Sequence, residues 1–339
     1  MVQVRKKLKD SGFVIDRRYH RILEEAFYKL YILTPDQVCR LLYKAGGGSL
    51  RGVETSLKKL FEEGYLHRFP LPTGKGESPL VYTMTKKSRD YLMRCGAASE
   101  DIYYIPYGDE EKNYGVLMHL LELNDFLIIA LLAEKHTQNV RLFDFQHDIY
   151  LKTKPLIVWT SDKDCFEVVP DAFLYFKIKT KEEREITLGV WLELDRGNHS
   201  VTAFKRKFNH IRVAGQKGVI YETFGVDRIC FAFVTPTGDD RVEKMRVWTR
   251  QELLGKDRKK VVSPYGRNNM KFKFLAVPTL KEWNNINVAD NLVDRYTVRN
   301  ILIGDMWSVA FTGDDDGMRV RLLDGGGSDN VGEAGAEYE

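Results

Sequence analysis

Two carboxylates stand two residues apart in the stretch VWLELDRGNHS, residues 190–200, where Glu193 and Asp195 follow a run of apolar residues. Side chains alternate between the two faces of a strand, so a strand here would point both carboxylates to one face. A third carboxylate, Asp171, follows Pro170 in an earlier apolar stretch. Carboxylate oxygens are the ligands that Mg²⁺ prefers, and the ion keeps waters for a substrate phosphate. The three residues therefore predict a site for Mg²⁺, or Mn²⁺, that cuts a phosphodiester.

The spacing of Asp171 and Glu193 predicts that a hairpin brings them together. They are 22 residues apart, and their midpoint, residue 182, falls in the polar segment KTKEERE, residues 179–185. A turn in that segment would pair two antiparallel strands and set Asp171 beside Glu193. We expect Asp171, in the middle of the first of these strands, to meet the two carboxylates of the second.

These carboxylates resemble the PD-(D/E)XK nuclease motif, in which a lysine two residues after the glutamate stabilises transition-state charge, but that position is Asp195. Two lysines on the next predicted helix, Lys205 and Lys207, lie on opposite flanks of its apolar stripe, and either would supply the charge. The candidate catalytic residues are Asp171, Glu193, Asp195, Lys205 and Lys207. A purely structural interpretation stays open, in which the aspartates only end their strands and pair with Arg196 or Lys205.

The predicted elements around these residues follow the order helix, three strands, helix, strand. The first helix is NYGVLMHLLELNDFLIIALLAEKH, and the three strands are VRLFDFQHDIYL, FEVVPDAFLYFKI and ITLGVWLELD. A helix over about residues 200–215, with Val201, Phe204, Phe208 and Ile211 as its apolar stripe, precedes the strand RICFAFVTP. This order is the minimal core of the PD-(D/E)XK nuclease fold. We therefore expect a mixed, α+β chain whose residues 113–252 form an α/β nuclease-like domain.

The segment before this domain has the organisation of a helix-turn-helix. Thr34, Pro35 and Gln37 supply an N-cap, a first-turn proline and a capping-box partner, which predicts a helix that begins at Pro35. A second helix is predicted over Ser49–Glu63 and ends at Gly64. A helix in DRRYHRILEEAFYKLYIL precedes the pair, and YLHRF and PLVYTMT are typical of two short strands. Three helices and a two-stranded wing predict an N-terminal winged helix-turn-helix.

The positive charge of the chain is concentrated at the end that carries this winged helix, residues 16–100. Residues 1–100 hold 19 Lys and Arg against 11 Asp and Glu, a net charge of +8, whereas the remainder has a net charge of −4. A basic domain of this kind favours duplex DNA as the partner. The candidate DNA-binding residues are Arg51, Thr55, Lys58 and Lys59 on the second helix and Lys75 in the wing. Protein contact by the winged helix is the alternative.

The remaining segments complete the predicted domain organisation. A basic arm (1–15) precedes the winged helix, a linker (101–112) follows it, and a β-rich extension (253–323) and a disordered acidic tail (324–339) end the chain. The four cysteines are dispersed, which excludes a disulfide framework and a C-x-x-C zinc site. The apolar runs are too short and too charged for a bilayer and the N-terminus carries no secretion signal, so a cytoplasmic protein without a membrane partner is expected.

Several motifs in order resemble the replication-relaxation proteins of bacterial plasmids and integrative elements. After the winged helix come HLLELNDF (119–126), VPDAF (169–173), WLELDRG (191–197) and KRKFNHI (205–211). The resemblance spans about residues 15–235. It implies a C-terminal half similar to PD-(D/E)XK nucleases and a role in plasmid replication and DNA topology.

The resemblance also marks individual residues, which are His119, Asp125, Asp171, Glu193, Asp195 and Lys207. His119 and Glu122 are one helical turn apart, so both are candidate accessory residues that would face the site. A half-buried histidine with a purely structural role is the alternative for His119.

Together these features favour a DNA-binding protein of a mobile element that acts in replication or DNA processing. The winged helix would hold double-stranded DNA, and the nuclease-like domain would nick or cleave it with Mg²⁺. Two alternatives stay open: a catalytically inactive replication or transcription regulator that uses the nuclease fold as a DNA or protein platform, and an adaptor that recruits a replication or transfer protein of the element. The expected location is the bacterial cytoplasm, in association with DNA.

Overall fold

The computed structural model of the chain describes residues 13–42, 49–71, 79–97, 114–132, 140–161, 163–179, 184–254, 271–279, 282, 301–302, 307–309, 319–320 and 322–323. Contacts divide the chain into two compact units, Met1–Ile128 and Ile129–Glu339. Lys75, the predicted linker, the predicted tail and most of the predicted N-terminal arm lie outside the described residues. The domain boundaries drawn from the sequence stay predictions.

The first unit begins with a helical segment in three parts. Helix α1 (Arg17–Arg21) passes into a π-helical stretch (Ile22–Phe27) and ends in α2 (Tyr28–Leu30). The Asp16 carboxylate caps the start by accepting hydrogen bonds from the backbone N–H groups of the first turn. The residues buried by the segment are the predicted apolar set, Ile22, Leu23, Ala26, Phe27 and Leu30.

Two further helices, α3 (Pro35–Leu42) and α4 (Leu50–Glu62), begin where the capping residues predict. The backbone N–H of Gln37 donates to Oγ1 of Thr34 at 3.3 Å, and the N–H of Thr34 donates to Oε1 of Gln37 at 3.1 Å. This reciprocal pair is the predicted capping box, and it is confirmed. Ser49 caps α4 in the same way, since its Oγ accepts from the N–H of Gly52.

A small antiparallel sheet and two more helices complete the first unit. Its strands are β1 (Ile32–Leu33), β2 (Leu66–Pro70) and β3 (Leu80–Met84), in the order β1-β3-β2. The helices are α5 (Lys86–Arg94) and α6 (Tyr114–Leu131). β2 and β3 are the two predicted strands, whereas β1 was not predicted because two residues are too few to show an alternating pattern.

Helix α6 is buried on most sides, and polar side chains tie it to the rest of the first unit. Asn124 donates from its amide to the carbonyl of Leu30 at 3.0 Å. Asp125 accepts from Nε2 of Gln37 at 2.9 Å and forms an ion pair with Arg40. By length and composition α6 is apolar enough to cross a membrane, but 72% of it is buried inside the protein. Such burial indicates a core helix.

A mixed seven-stranded sheet organises the second unit. The strands of the unit are β4 (Val140–His147), β5 (Leu156–Trp159), β6 (Cys165–Val168), β7 (Ala172–Lys179), β8 (Glu185–Leu194), β9 (Arg228–Thr235), β10 (Lys271–Ala276), β11 (Trp307–Val309) and β12 (Arg319–Val320). The sheet order is β12-β11-β10-β9-β8-β7-β4, and β5 and β6 form a separate hairpin. β4, β7 and β8 are antiparallel, whereas β8, β9 and β10 run parallel.

Three helices connect the parallel strands β8, β9 and β10: α8 (Val201–Gln216), α9 (Val219–Phe224) and α10 (Asp239–Leu254). The short helix α7 (Asp148–Leu151) follows β4. α8 and α9 lie between β8 and β9 in the chain, and Phe208 of α8 packs on Phe272 with ring centroids 4.8 Å apart. The predicted apolar stripe of α8 is buried at Phe204, Phe208 and Ile211. Val201, the fourth predicted member, is exposed because it is the first residue of the helix.

The predicted series begins with a helix, which is α6, and most of α6 belongs to the first unit. The remaining three strands, helix and strand correspond to β4, β7, β8, α8 and β9, with one correction. FEVVPDAFLYFKI is not one strand: β6 ends at Val168, and β7 begins at Ala172. Pro170 has no N–H to give to a strand ladder, so it separates the two strands. Asp171 therefore lies immediately before β7 and not in the middle of a strand.

Two other strand predictions change at the ends of the unit. The stretch VRLFDFQHDIYL is a strand only as far as His147, whose side chain caps the short helix α7. The strands β10, β11 and β12 lie in the predicted C-terminal extension, and they continue the seven-stranded sheet through the parallel pairing of β10 with β9.

Gly189 in β8 is a position where the fold has no room for a side chain. A Cβ there would lie 2.6 Å from Cζ of Phe173 and 3.1 Å from Val226, and the Phe173 ring is stacked on Phe224 with centroids 3.7 Å apart. We expect Gly189→Ala to lower the free energy of unfolding by about 1–3 kcal/mol because the ring must shift. Chemical denaturation measures the change. Gly52→Ala is the control, because a Cβ at that position would meet only the Ser49 hydroxyl, at 3.3 Å, and the free energy of unfolding should change little. Equal denaturation midpoints for the two variants would contradict the expectation.

Candidate functional site

The hairpin of β7 and β8 brings Asp171 and Glu193 to one end of the sheet. Ala172 lies opposite Leu192, so the next pair in this register is Asp171 with Glu193, as the spacing in the sequence predicts. The N–H of Asp171 donates to the carbonyl of Leu192 at 3.1 Å, and Oδ2 of Asp171 accepts from the N–H of Leu194 at 2.8 Å. Backbone groups of β8 therefore hold both the main chain and the carboxylate of Asp171.

The carboxylate of Glu193 is buried at the end of β8. It accepts a hydrogen bond from Nε1 of Trp191 at 2.7 Å and forms an ion pair with Lys207. Burial raises the pKa of Glu193 to about 8, and the nearby carboxylate of Asp171 raises it as well, although the Lys207 ammonium opposes the shift. Glu193 is thus a carboxyl group whose charge depends on its cationic neighbour.

Lys207 reaches the two carboxylates from helix α8. Its ammonium pairs with Glu193 and lies 3.8 Å from Oδ1 of Asp171. Burial alone lowers the pKa of Lys207, but the two carboxylates outweigh that effect and raise it, so the ammonium stays charged. Lys205 lies on the other flank of α8, where it pairs with Glu252 at 3.2 Å. Of the two candidate lysines, the structure brings only Lys207 to Asp171 and Glu193.

Asp195 has a different set of neighbours from the other two carboxylates. Its Oδ2 lies 2.8 Å from the guanidinium of Arg241, and its Oδ1 accepts from the N–H of Gly197. Arg241 also donates to the carbonyl of His199 at 3.0 Å and lies over the ring of Trp248. Asp195 therefore holds the connection between β8 and α8.

The donor set around Lys207 fits a hard cation in part. Asp171 and Glu193 both face one positive charge, which indicates a place where a cation is stabilised. Asp195, the third predicted ligand, is engaged by Arg241. Within the described stretches, no group of three or more His, Cys, Asp and Glu side chains has the arrangement of a metal site. Two carboxylates that together bind a divalent ion and its waters are nevertheless consistent with Mg²⁺ chemistry.

A cleft of about 450 Å³ opens beside these residues. Glu193, Asp195 and Lys207 line it, together with residues that the sequence did not indicate, namely Glu167, His199, Arg206 and His210. Helical spacing on α8 would have found His210, which lies three residues after the candidate Lys207. No spacing in the sequence predicts the contact of Arg241 with Asp195, because Arg241 lies on a helix that begins 44 residues later in the chain.

The accessory candidates lie elsewhere. His119 and Glu122 are on α6, most of which belongs to the first unit, and the Glu122 side chain is buried there. Asp125, which the family resemblance marks, makes the ion pair with Arg40 described above.

The exposed face of α4 carries most of the candidate DNA-binding residues. Arg51, Thr55 and Lys58 are exposed, and Oγ1 of Thr55 donates to the carbonyl of Arg51 at 2.8 Å. Lys58 lies 4.0 Å from Glu62. The ammonium of Lys59 is engaged within the protein, since it pairs with Glu63 at 2.9 Å and lies over the ring of Phe13. The exposed face of α4 thus presents the positive charges of Arg51 and Lys58 with Thr55 between them.

Comparison with known proteins identifies one match. The model of the replication-relaxation family matches residues 25–219, which is more than half of the chain and includes α4, Asp171, Glu193 and Lys207. No curated protein and no solved structure matches the chain.

The raised pKa of Glu193 gives the free energy of unfolding a pH dependence. Between the ordinary value of 4.5 and about 8, the folded protein keeps a proton on Glu193 that the unfolded chain has released. Stability contributed by this group therefore falls as the pH rises through that range, by at most about 1.4 kcal/mol per pH unit. We expect Glu193→Gln, which cannot titrate, to lose less stability than the wild type between these pH values. Denaturant unfolding in a chelating buffer measures both proteins, and parallel pH profiles would refute the assignment.

Proposed function

Because the chain belongs to the replication-relaxation family, we infer that it acts in the replication or processing of plasmid or mobile-element DNA. We propose that the first unit is a winged helix that holds double-stranded DNA and that the second unit is a PD-(D/E)XK-like nuclease that nicks or cleaves it. The proposed location is the bacterial cytoplasm, where such DNA lies. Replication or transfer proteins of the element are further candidate partners.

The position of Lys207 is the observation that supports a nuclease best. The sequence lacks a lysine two residues after Glu193, and α8 supplies one that contacts Glu193 and lies 3.8 Å from Asp171. Two carboxylates and a lysine thus meet at the end of two adjacent strands. The parallel β8 and β9 with α8 between them, and the antiparallel β4 and β7, are the element order expected of that fold.

The proposed reaction is hydrolysis of a phosphodiester. Water attacks phosphorus, one P–O bond breaks, and the products are a phosphate monoester and a hydroxyl. The Lys207 ammonium would stabilise the added negative charge on the phosphoryl oxygens. Asp171 and Glu193 would hold Mg²⁺, which when bound polarises the phosphate and lowers the pKa of a water. Trp191 and the N–H of Leu194 keep the two carboxylates in position.

A non-catalytic function is favoured by a separate observation. Lys207 already contacts Glu193, Arg241 engages Asp195, and the described part of the chain contains no group of three metal-binding side chains. In that case the second unit would be a platform for DNA or protein in a replication or transcription regulator. The cleavage experiment below separates the two functions.

We expect Mg²⁺ or Mn²⁺ to support nicking or cleavage of supercoiled plasmid by the wild-type protein. Lys207→Met and Asp171→Asn should each reduce the rate by about 100-fold or more, because each removes a group that acts on the transition state. Lys205→Met is the matched control, since that lysine lies two residues away on α8 and pairs with Glu252. Its rate should stay within a few-fold of the wild type. Agarose gel electrophoresis of the plasmid forms measures the rates.

The pattern among variants decides between the proposals. Activity that is lost equally in Lys205→Met and Lys207→Met would contradict the assignment of Lys207. No cleavage by the wild type with any divalent ion, while DNA binding stays intact, would support the platform function.

The DNA-binding surface on α4 is tested by charge reversal. The double variant Arg51→Glu and Lys58→Glu should weaken binding to a duplex by about tenfold or more at low salt and should reduce the slope of log K against log salt by about two. Lys59→Glu is the control because Glu63 already engages that lysine, and its effect should be smaller. Fluorescence anisotropy at several salt concentrations measures these values. Unchanged binding of the double variant would exclude α4 as the recognition helix.

A further inference from the structure

One wall of the cleft is a single face of helix α8. Ala203, Arg206, Lys207 and His210 line the cleft, and their spacing of three, four and seven residues puts them on one side of the helix. The guanidinium of Arg206 is exposed and has no ion-pair partner among the residues that the structure describes. Lys207 points to the carboxylates, so Arg206 is the cation of this face that remains available for a phosphate next to the reacting one.

Strand β6 of the β5–β6 hairpin also contributes to the lining of the cleft. Val168 and Glu167 of β6 line the cleft. The inner face of β6 also contacts α8, since the Phe166 ring is stacked on His210 with centroids 4.1 Å apart. Burial and the charge of Arg206 lower the pKa of His210, which favours the neutral ring in this stack. The hairpin is therefore fixed against the same helix face that carries Arg206 and Lys207.

The outer face of the hairpin presents large apolar side chains to solvent. Burial alternates along β5, and Ile157 and Trp159 are exposed by 49% and 56%. Ile157 pairs with Glu167, which lines the cleft. Trp159 is two residues further along the strand, and at ordinary strand spacing its Cα is about 8 Å from that of Glu167. The exposed indole thus lies on the same face of the hairpin as Glu167, at the next residue pair of that face from this lining residue of the cleft, which Arg206, Lys207 and Glu193 also line.

We propose that the substrate of the second unit is DNA whose bases are unpaired at the reacting phosphodiester, with Trp159 as a stacking platform for a base and Arg206 as a contact for a flanking phosphate. The inference rests on the proposed nuclease function and names its substrate. Sites for single strands combine cationic grooves with aromatic side chains on which bases stack. In a duplex both faces of each base are covered by neighbouring bases, so an indole beside the cleft has a base to contact only where the strand is unpaired.

The test measures binding in the full-length protein without cleavage. Fluorescence anisotropy in a chelating buffer compares a labelled single-stranded oligothymidine with a duplex of the same length. Trp159→Ala should weaken binding of the single strand by about tenfold, in keeping with the loss of one stacked base, and should leave duplex binding unchanged. Trp159→Phe should restore most of the affinity. Phe143→Ala is the matched control, because that aromatic residue is also half exposed, at 52%, but lies on β4.

Substitution of Arg206 gives a second, independent test of the proposal. Arg206→Ala should weaken single-strand binding and reduce its salt slope by about one, whereas Trp159→Ala should leave the slope unchanged. Equal losses for single strand and duplex in Trp159→Ala, or no loss at all, would overturn the proposal and would point instead to a protein partner for the hairpin. Because binding needs no catalysis, a protein that binds the single strand through Trp159 but cuts no DNA would refute the nuclease function alone.

Discussion

The contact between the partly exposed Lys207 ammonium and the buried carboxyl group of Glu193 is the interaction on which the arrangement of the second unit depends. Removing a carboxylate from water costs several kcal/mol, and this cost is offset only where a partner charge and hydrogen bonds satisfy the group. Here Trp191 donates to Glu193, and Asp171 supplies a second carboxylate near Lys207. A pair of apolar side chains would stabilise the fold as well or better. The ion pair at the edge of a cleft therefore favours a chemical role over a structural one.

Three carboxylates in this region differ because of their surroundings and not because of their own chemistry. Glu193 is buried and has a raised pKa, the carboxylate of Asp171 accepts from the backbone N–H of Leu194, and Asp195 is bound by Arg241. Strand alternation predicts one face for Glu193 and Asp195, and both residues line the cleft, although β8 ends at Leu194. It carries no information about which of them a distant arginine will engage.

Capping residues and strand spacing, which can be identified in the sequence itself, predict much of the fold. The capping box at Thr34 and the hairpin register of Asp171 with Glu193 are set by residues close in the chain, and both are confirmed. Longer-range features were missed or left open. The choice of Lys207 over Lys205 depends on how α8 rotates against the sheet, and the partner of Asp195 comes from α10. The end of β6 before Pro170 was also not predicted, because apolar residues on both sides of the proline have the pattern of one continuous strand. The separate hairpin of β5 and β6 depends on this break.

A lysine carried by a helix has a consequence for how such sites diversify. A residue in a strand must keep its place relative to the glutamate, because one inserted residue would turn it to the other face. On α8, by contrast, positions 203, 207 and 210 all line the cleft, so a cation at any of these positions would face it. Relatives with the same chemistry need not share the spacing of fourteen residues between Glu193 and Lys207. They are better sought by the side of the helix that faces the carboxylates than by a fixed string of letters.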